Sequence, residues 1–260
     1  MSQHKGRKLV FHFWFWAGQF FVLLILVIAG SAEAKDSHQI RQLEYRSSML
    51  FAPAARVWLT SEAIEIESSS GYLVVAKAPG WSAVCANEKT HKFVTLTRND
   101  WASHGVLFVN LWSPSSDLPA ADAISAKGSK LLGLACQQIS WKSAWMDGYY
   151  RIRKPSSPCL AELYETSALP CSQIQAKLIA QFFDVPLRHG LPLVFQKRFP
   201  DGKILTHLRA TSIKLIPSTS VSFSISPEYK KVSKRSELIT GMDQKSAIDL
   251  LQSVTKEGGH

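Results

Sequence analysis

No Cys-x-x-Cys pair occurs anywhere in the chain, so neither a thioredoxin-like redox centre nor a zinc ribbon has its ligands. H-E-x-x-H, G-x-S-x-G and the phosphate-binding P-loop are also missing, which removes the enzyme classes that depend on them. Histidine, aspartate and glutamate are not grouped at metal-ligand spacing, so no metal site is expected. Asp100 and His104, four apart, are the one pair that a helical turn would let share a proton; that reading makes an envelope hydrolase, and the plainer reading is a polar loop after a strand. The sequence-level expectation is no catalytic set and no enzyme. Beyond residue 30 there is also no apolar block of the ~20 residues a spanning helix needs.

What is present begins at the N-terminus. Lys5, Arg7 and Lys8 precede an apolar block from Leu9 to Gly30, densest over Phe20–Ala29, and Ala32-x-Ala34 follows. Positive, apolar and small-residue regions in that order make an export signal with cleavage after Ala34. An uncleaved anchor is the competing reading, although His12 and Gln19 interrupt the apolar block. The expected division is a signal segment, 1–34, and a single domain, 35–260, working in the periplasm or outside the cell, or held at the membrane if the segment is kept.

Such a chain buries enough surface to fold without covalent staples. Hydrophobic residues make up 46% and charged residues 19% of the sequence, a globular balance. The net charge is +10, and removing Lys5, Arg7, Lys8 and Glu33 leaves +8. Lysine and arginine are scattered, which suits a solvated basic surface that can meet a membrane. The dense run at Lys230, Lys231, Lys234 and Arg235 lacks interleaved aromatics, so nucleic acid is not an expected partner.

All four cysteines, Cys85, Cys136, Cys159 and Cys171, follow the export segment, and three disulfide pairings are open to them. The nearest pair, Cys159 and Cys171, is separated by a run that reads as a strand, Leu160–Thr166. Extended, that run spans ~20 Å, whereas a disulfide needs Cα atoms within about 7 Å.

Short β-branched and aromatic runs alternate with turns about every 8–12 residues. Strands are expected at 56–59, 63–66, 72–76, 81–86, 92–96, 106–112, 130–141 and 149–153, with a long loop over 113–129. His207, opposite in parity to Leu208, is expected to face solvent. Ser172 and Gln175 form a capping box, and Ile174, Leu178, Ile179, Phe182 and Phe183 then share a helical face. Pro186 ends that helix. Pro200-Asp201-Gly202 joins a final hairpin, 193–199 to 204–216, and 243–254 has the pattern of a short amphipathic helix. The expected fold is mainly β (α+β): a curved antiparallel sheet or half-open β-barrel with a helix lid.

Three stretches carry a resemblance. Leu132-Gly133-Leu134-Ala135-Cys136-Gln137-Gln138-Ile139 looks like an "lGyxCxxY" strand, and Leu163-Tyr164-Glu165-Thr166 like an "xWxT" strand. His189-Gly190-Leu191-Pro192-Leu193, Leu208-Arg209-Ala210-Thr211-Ser212-Ile213, Phe223 and Pro227-Glu228-Tyr229-Lys230 follow as "GxPL … LxTxSI … FxxPxGY". In that order they resemble the exported lipoprotein-carrier superfamily (LolA/LolB-like) and related domains, over the C-terminal half. Ile139, Tyr164 and Glu228 depart from the usual residues. The resemblance implies an apolar cavity under a helix lid, suited to acyl chains or a lipidated partner, with no cofactor.

Ile174, Leu178, Phe182 and Phe183 are the expected lid residues, and Trp58 and Trp141 the expected cavity wall; ordinary core packing is the competing reading of each. Two functions follow. One is a non-enzymatic binding protein for a lipid, an apolar ligand or a lipoprotein. The other is an interaction module of the cell envelope whose interior is filled by side chains.

Overall fold

In the computed structural model, residues 39–48, 52–106, 124–145 and 157–238 are described, and those from Ile40 onward cluster as one unit. The expected export segment lies outside them, as do the expected strands past Val106 and at 149–153 and the helix expected at 243–254.

Two meanders make the sheet. The first runs through β1 (Gln39–Ser47), β2 (Ala54–Leu59), β3 (Ala63–Ser68), β4 (Tyr72–Lys77), β5 (Ala83–Asn87) and β6 (Lys92–Leu96). Helix α1 (Arg98–His104) follows. The second meander comprises β7 (Ser125–Leu131), β8 (Leu134–Trp145) and β9 (Ser157–Thr166), then helix α2 (Gln173–Phe182), β10 (Leu191–Arg198) and β11 (Ile204–Pro217). A two-residue β12 (Lys230–Lys231) pairs parallel with β6, while the consecutive strands of each meander pair antiparallel.

β1 and β11 are neighbours and join the meanders into one sheet of 12 strands, ordered β12-β6-β5-β4-β3-β2-β1-β11-β10-β9-β8-β7. The junction is fastened by Ser48 N–H donating to the His207 carbonyl (3.0 Å) and the Thr211 hydroxyl donating to the Glu44 carbonyl (3.1 Å). The sheet is curved and open, and the fold is mainly β with two α-helices among the described residues.

Strand periodicity sorts the side chains onto two faces. Val57, Leu59, Ile64, Ile66, Tyr72 and Val74 enter the main core, while Leu73 and Val75 point the other way. β4 is therefore buried on both faces. Its outer face is covered by a strap after β11, whose Phe223, Ile225 and Tyr229 pack on Leu73, Val75 and Ala86.

Local turn chemistry corrects two expectations. The loop expected over 113–129 is strand from Ser125 onward. Its residues are mostly exposed, and ladder pairing with β8, not burial, holds it. The strand expected over 130–141 contains the corner of that hairpin: Leu132 and Gly133 take φ of 51° and 80°, as a two-residue type I′ turn demands.

Asp100 and His104 lie on α1 and not in a loop. The Asp100 carboxylate accepts from the Thr97 N–H and hydroxyl as part of a capping box, and the His104 ring meets the Asp100 backbone carbonyl, 3.3 Å away. The helix is anchored by buried Trp101, whose indole donates to the Trp81 carbonyl at 2.7 Å. Part of the basic run has a structural task as well: the Arg235 guanidinium donates to the Asp100 and His104 carbonyls at the end of α1.

Candidate functional site

α2 lies on the inner face of the sheet because its sequence caps it and gives it an apolar stripe. The Ser172 hydroxyl accepts from the Gln175 N–H, and the Gln175 side-chain oxygen accepts from the Ser172 N–H at 2.8 Å. The Gln175 amide then reaches across the fold and donates to the carbonyls of Thr60 (2.7 Å) and Ala63 (3.0 Å) in the β2–β3 turn. Gln175 is fully buried, so one residue both caps the helix and pins it to the first meander.

Leu178, Ile179 and Phe182 are buried against the sheet, with Phe183 just past the helix. Each such large apolar side chain contributes about 1.5–3 kcal/mol on full burial. Phe183 lies 5.2 Å from the Tyr45 ring and 5.0 Å, edge-on, from that of Phe182. The Tyr45 hydroxyl donates to the Pro192 carbonyl of β10. At the side of α2, the Gln181 amide donates to the Ala102 carbonyl of α1.

The chain leaves α2 through Asp184 at φ 48° and reaches β10 by way of a carboxylate. Buried Glu165 accepts from the N–H groups of Arg188 (2.6 Å), His189 (3.0 Å) and Gly190 (3.2 Å). Gly190 passes so close to β9 that an added Cβ would lie 2.8 Å from the Thr166 carbonyl oxygen.

The expected site residues divide. Leu178, Phe182, Phe183 and Trp141 belong to the main core on the inner face, and half-buried Ile174 packs at its margin. Trp58 does not join them. It lies with Arg56 on the outer face, where the Arg56 guanidinium sits 5.4 Å from its ring and its indole donates to the Gln42 side chain. The parity that sends Val57 and Leu59 inward sends Trp58 outward.

His207 moves the opposite way. Between Phe195 and Gln196 the β10–β11 register slips: Phe195 faces Leu208 and Gln196 faces Thr206, leaving His207 as the extra residue of a β-bulge. The bulge turns the imidazole onto the Phe195 ring, 5.2 Å between centroids and 27° from parallel. Burial first, and then Lys197, push its pKa down to about 4. The expectation that His207 faces solvent fails at this bulge, which strand parity cannot register.

Grooves of about 240 and 400 Å³ are among those on the described residues, and neither of these is lined by a residue of α2. The larger runs between the strap and β4–β5, beside Lys77, Trp81, Phe223 and Ile225. All four cysteines are free thiols, and burial pushes Cys85 and Cys171 up to about 12. Among the described residues no three His, Cys, Asp or Glu side chains are grouped to hold a metal, and no helix is long and apolar enough to cross a membrane.

No protein-family model and no curated protein matches the chain. Solved structures do. The chain is similar to an uncharacterized conserved protein of Thermus thermophilus, at 14% identity and a TM-score of 0.38 over 77% of this chain and 93% of that one. It is similar to the lipoprotein LppX of Mycobacterium tuberculosis, at 10% identity and 0.30 over 78% and 98%. It is also similar to a chain of the MucA/MucB complex of Pseudomonas aeruginosa, at 11% identity and 0.27 over 78% of this chain and 61% of that one. At these values the likenesses carry no weight for function.

Proposed function

We propose that the chain is an exported, non-enzymatic binding protein whose mature domain, 35–260, holds an apolar or lipid-like ligand, or the acyl part of a lipoprotein, against the inner face of the sheet. The observation behind this is α2 itself. An open sheet leaves an apolar concave face, and a ten-residue helix covers it with Leu178, Ile179 and Phe182. Swinging α2 aside would expose a surface of the chemistry an acyl chain prefers. Ile174, Leu178, Phe182 and Phe183 are then lid residues and Trp141 a wall residue; Trp58, on the outer face, is dropped from the set.

The alternative is an interaction module of the cell envelope with no small ligand. It draws on a separate observation: the inner face under α2 is packed with side chains, and neither groove is lined by α2.

Titration with a fluorescent fatty acid separates the two. A carrier takes up the probe saturably, and Phe182→Glu weakens uptake at least tenfold while the circular dichroism of the sheet is retained. Absence of uptake by the wild-type protein, or uptake that ignores the substitution, overturns the carrier.

A further inference from the structure

The outer face of the second meander gathers cations that lie far apart in the sequence. Ile139, Trp141, Ala161, Leu163, Phe195 and Leu208 enter the main core. The side chains that alternate with them stand on the opposite face, where the strand register sets them in rows.

In one row Lys142 pairs with Leu160, Leu160 with Arg198, and Arg198 with Ile204. The next row holds Glu162 between Ser140 and Gln196. In the third, Lys127 pairs with Gln138 at one end and Arg209 with Val194 at the other.

Four cations against one carboxylate leave these rows an excess of three positive charges. The carboxylate is also the one that is hidden. Glu162 is 5% exposed and accepts from the Gln138 and Gln196 amides, at 3.0 and 2.7 Å, and from Arg198 at 3.3 Å. Lys127, Lys142, Arg198 and Arg209 are all exposed. The Arg198 side chain stays 45% exposed beside Glu162, and Arg209 donates to the neutral Gln196 side chain at 3.5 Å.

Leu160 and Ile204 are 39% and 45% exposed. Singly, such residues are ordinary, but these two share a row ~15 Å wide with two cations. The strap lies on this side of the sheet over β4, and its apolar cluster contains neither of them. Cations interleaved with aliphatic tips match the interface of an anionic bilayer, where charges sit over phosphate groups and the tips enter the head-group layer. An acidic peptide would draw on the charges and leave Leu160 and Ile204 in water.

We propose that this face docks on an anionic lipid surface. Lys127, Lys142, Arg198 and Arg209 lie over the head groups, and Leu160 and Ile204 dip between them. The docking face goes beyond the inner-face reading and does not depend on it.

The test is acetylation footprinting by mass spectrometry on the full chain. Vesicles of phosphatidylcholine alone are compared with vesicles of equal parts phosphatidylcholine and phosphatidylglycerol. The anionic vesicles are expected to slow labelling of Lys127 and Lys142 at least about fivefold relative to the neutral ones, with exposed Lys89 of the first meander unchanged. Leu160→Ser combined with Ile204→Ser is expected to weaken that protection about fivefold. Equal labelling with both vesicles, or slowing that Lys89 shares, overturns the docking face. So does protection by poly-glutamate that matches the vesicles and ignores the Leu160 and Ile204 substitutions, which points to an acidic protein segment instead. Each of these results leaves the inner-face reading standing, since its probe is a fatty acid and not a vesicle. The wild-type footprint decides the matter even if the double variant does not fold.

Discussion

The side-chain amide of Gln175 donates to the Thr60 carbonyl at 2.7 Å, across 115 residues of sequence. This bond joins the helix of the second meander to a turn of the first. Its loss is the most economical way to loosen α2 without touching the apolar contacts.

Gln175→Ala strips the Ser172 N–H and the Thr60 carbonyl of their Gln175 partner, and the Ala63 carbonyl loses one of its donors. Each unmet buried group costs about 1–3 kcal/mol. Urea unfolding is expected to show at least about 2 kcal/mol lost. Ser172→Ala, which removes only the cap hydroxyl, is expected to cost about 1 kcal/mol. Equal losses in the two variants would deny the bond to the β2–β3 turn any separate role.

Gly190→Ala tests close approach. A methyl group there meets the Thr166 carbonyl oxygen at 2.8 Å and its carbon at 3.0 Å, both backbone atoms. The connection that Glu165 holds must shift, and a loss of about 1–3 kcal/mol is expected by thermal or urea unfolding. An unchanged midpoint would show that the connection yields freely.

Glu65 gives a pH signature. Burial first, and then Glu67, raise its carboxyl from 4.5 to about 6, against the opposing pull of the Phe223 N–H and Lys77. The folded state therefore prefers the protonated form. This stabilisation is fully present below pH 4.5 and is lost as pH rises through about 6. Discounted for partial exposure, the effect is about 1 kcal/mol. Glu65→Gln is expected to raise the urea midpoint at pH 7.5 relative to wild type and to leave the pH 4 midpoint nearly unchanged. A gain of the same size at both pH values would contradict this.

Trp58 and Phe182 are both buried aromatic side chains, on opposite faces of the sheet. Trp58→Phe is expected to leave fatty-acid uptake within twofold of wild type. A tenfold loss would place the ligand on the outer face.

Much of this architecture is legible from local chemistry. Turn residues, β-branched runs and the Ser172–Gln175 capping box act over a few residues, so the meanders and α2 follow from short windows of sequence. What escapes is set by distant partners. Nothing near Gln175 announces Thr60, and nothing near Phe223 announces the sheet face it covers. Alternation separates Trp58 from Val57 and Leu59 but does not say which set turns inward. At His207 alternation itself breaks, because the bulge depends on the register between β10 and β11.

The most direct test of the inner face as a ligand surface is mass spectrometry of lipids extracted from protein purified without detergent from its native cell envelope. A carrier returns an acyl lipid at about one molecule per chain, displaced when a fluorescent fatty acid is titrated in. A protein that yields no bound lipid and takes up no probe would contradict the account and leave the interaction module in its place.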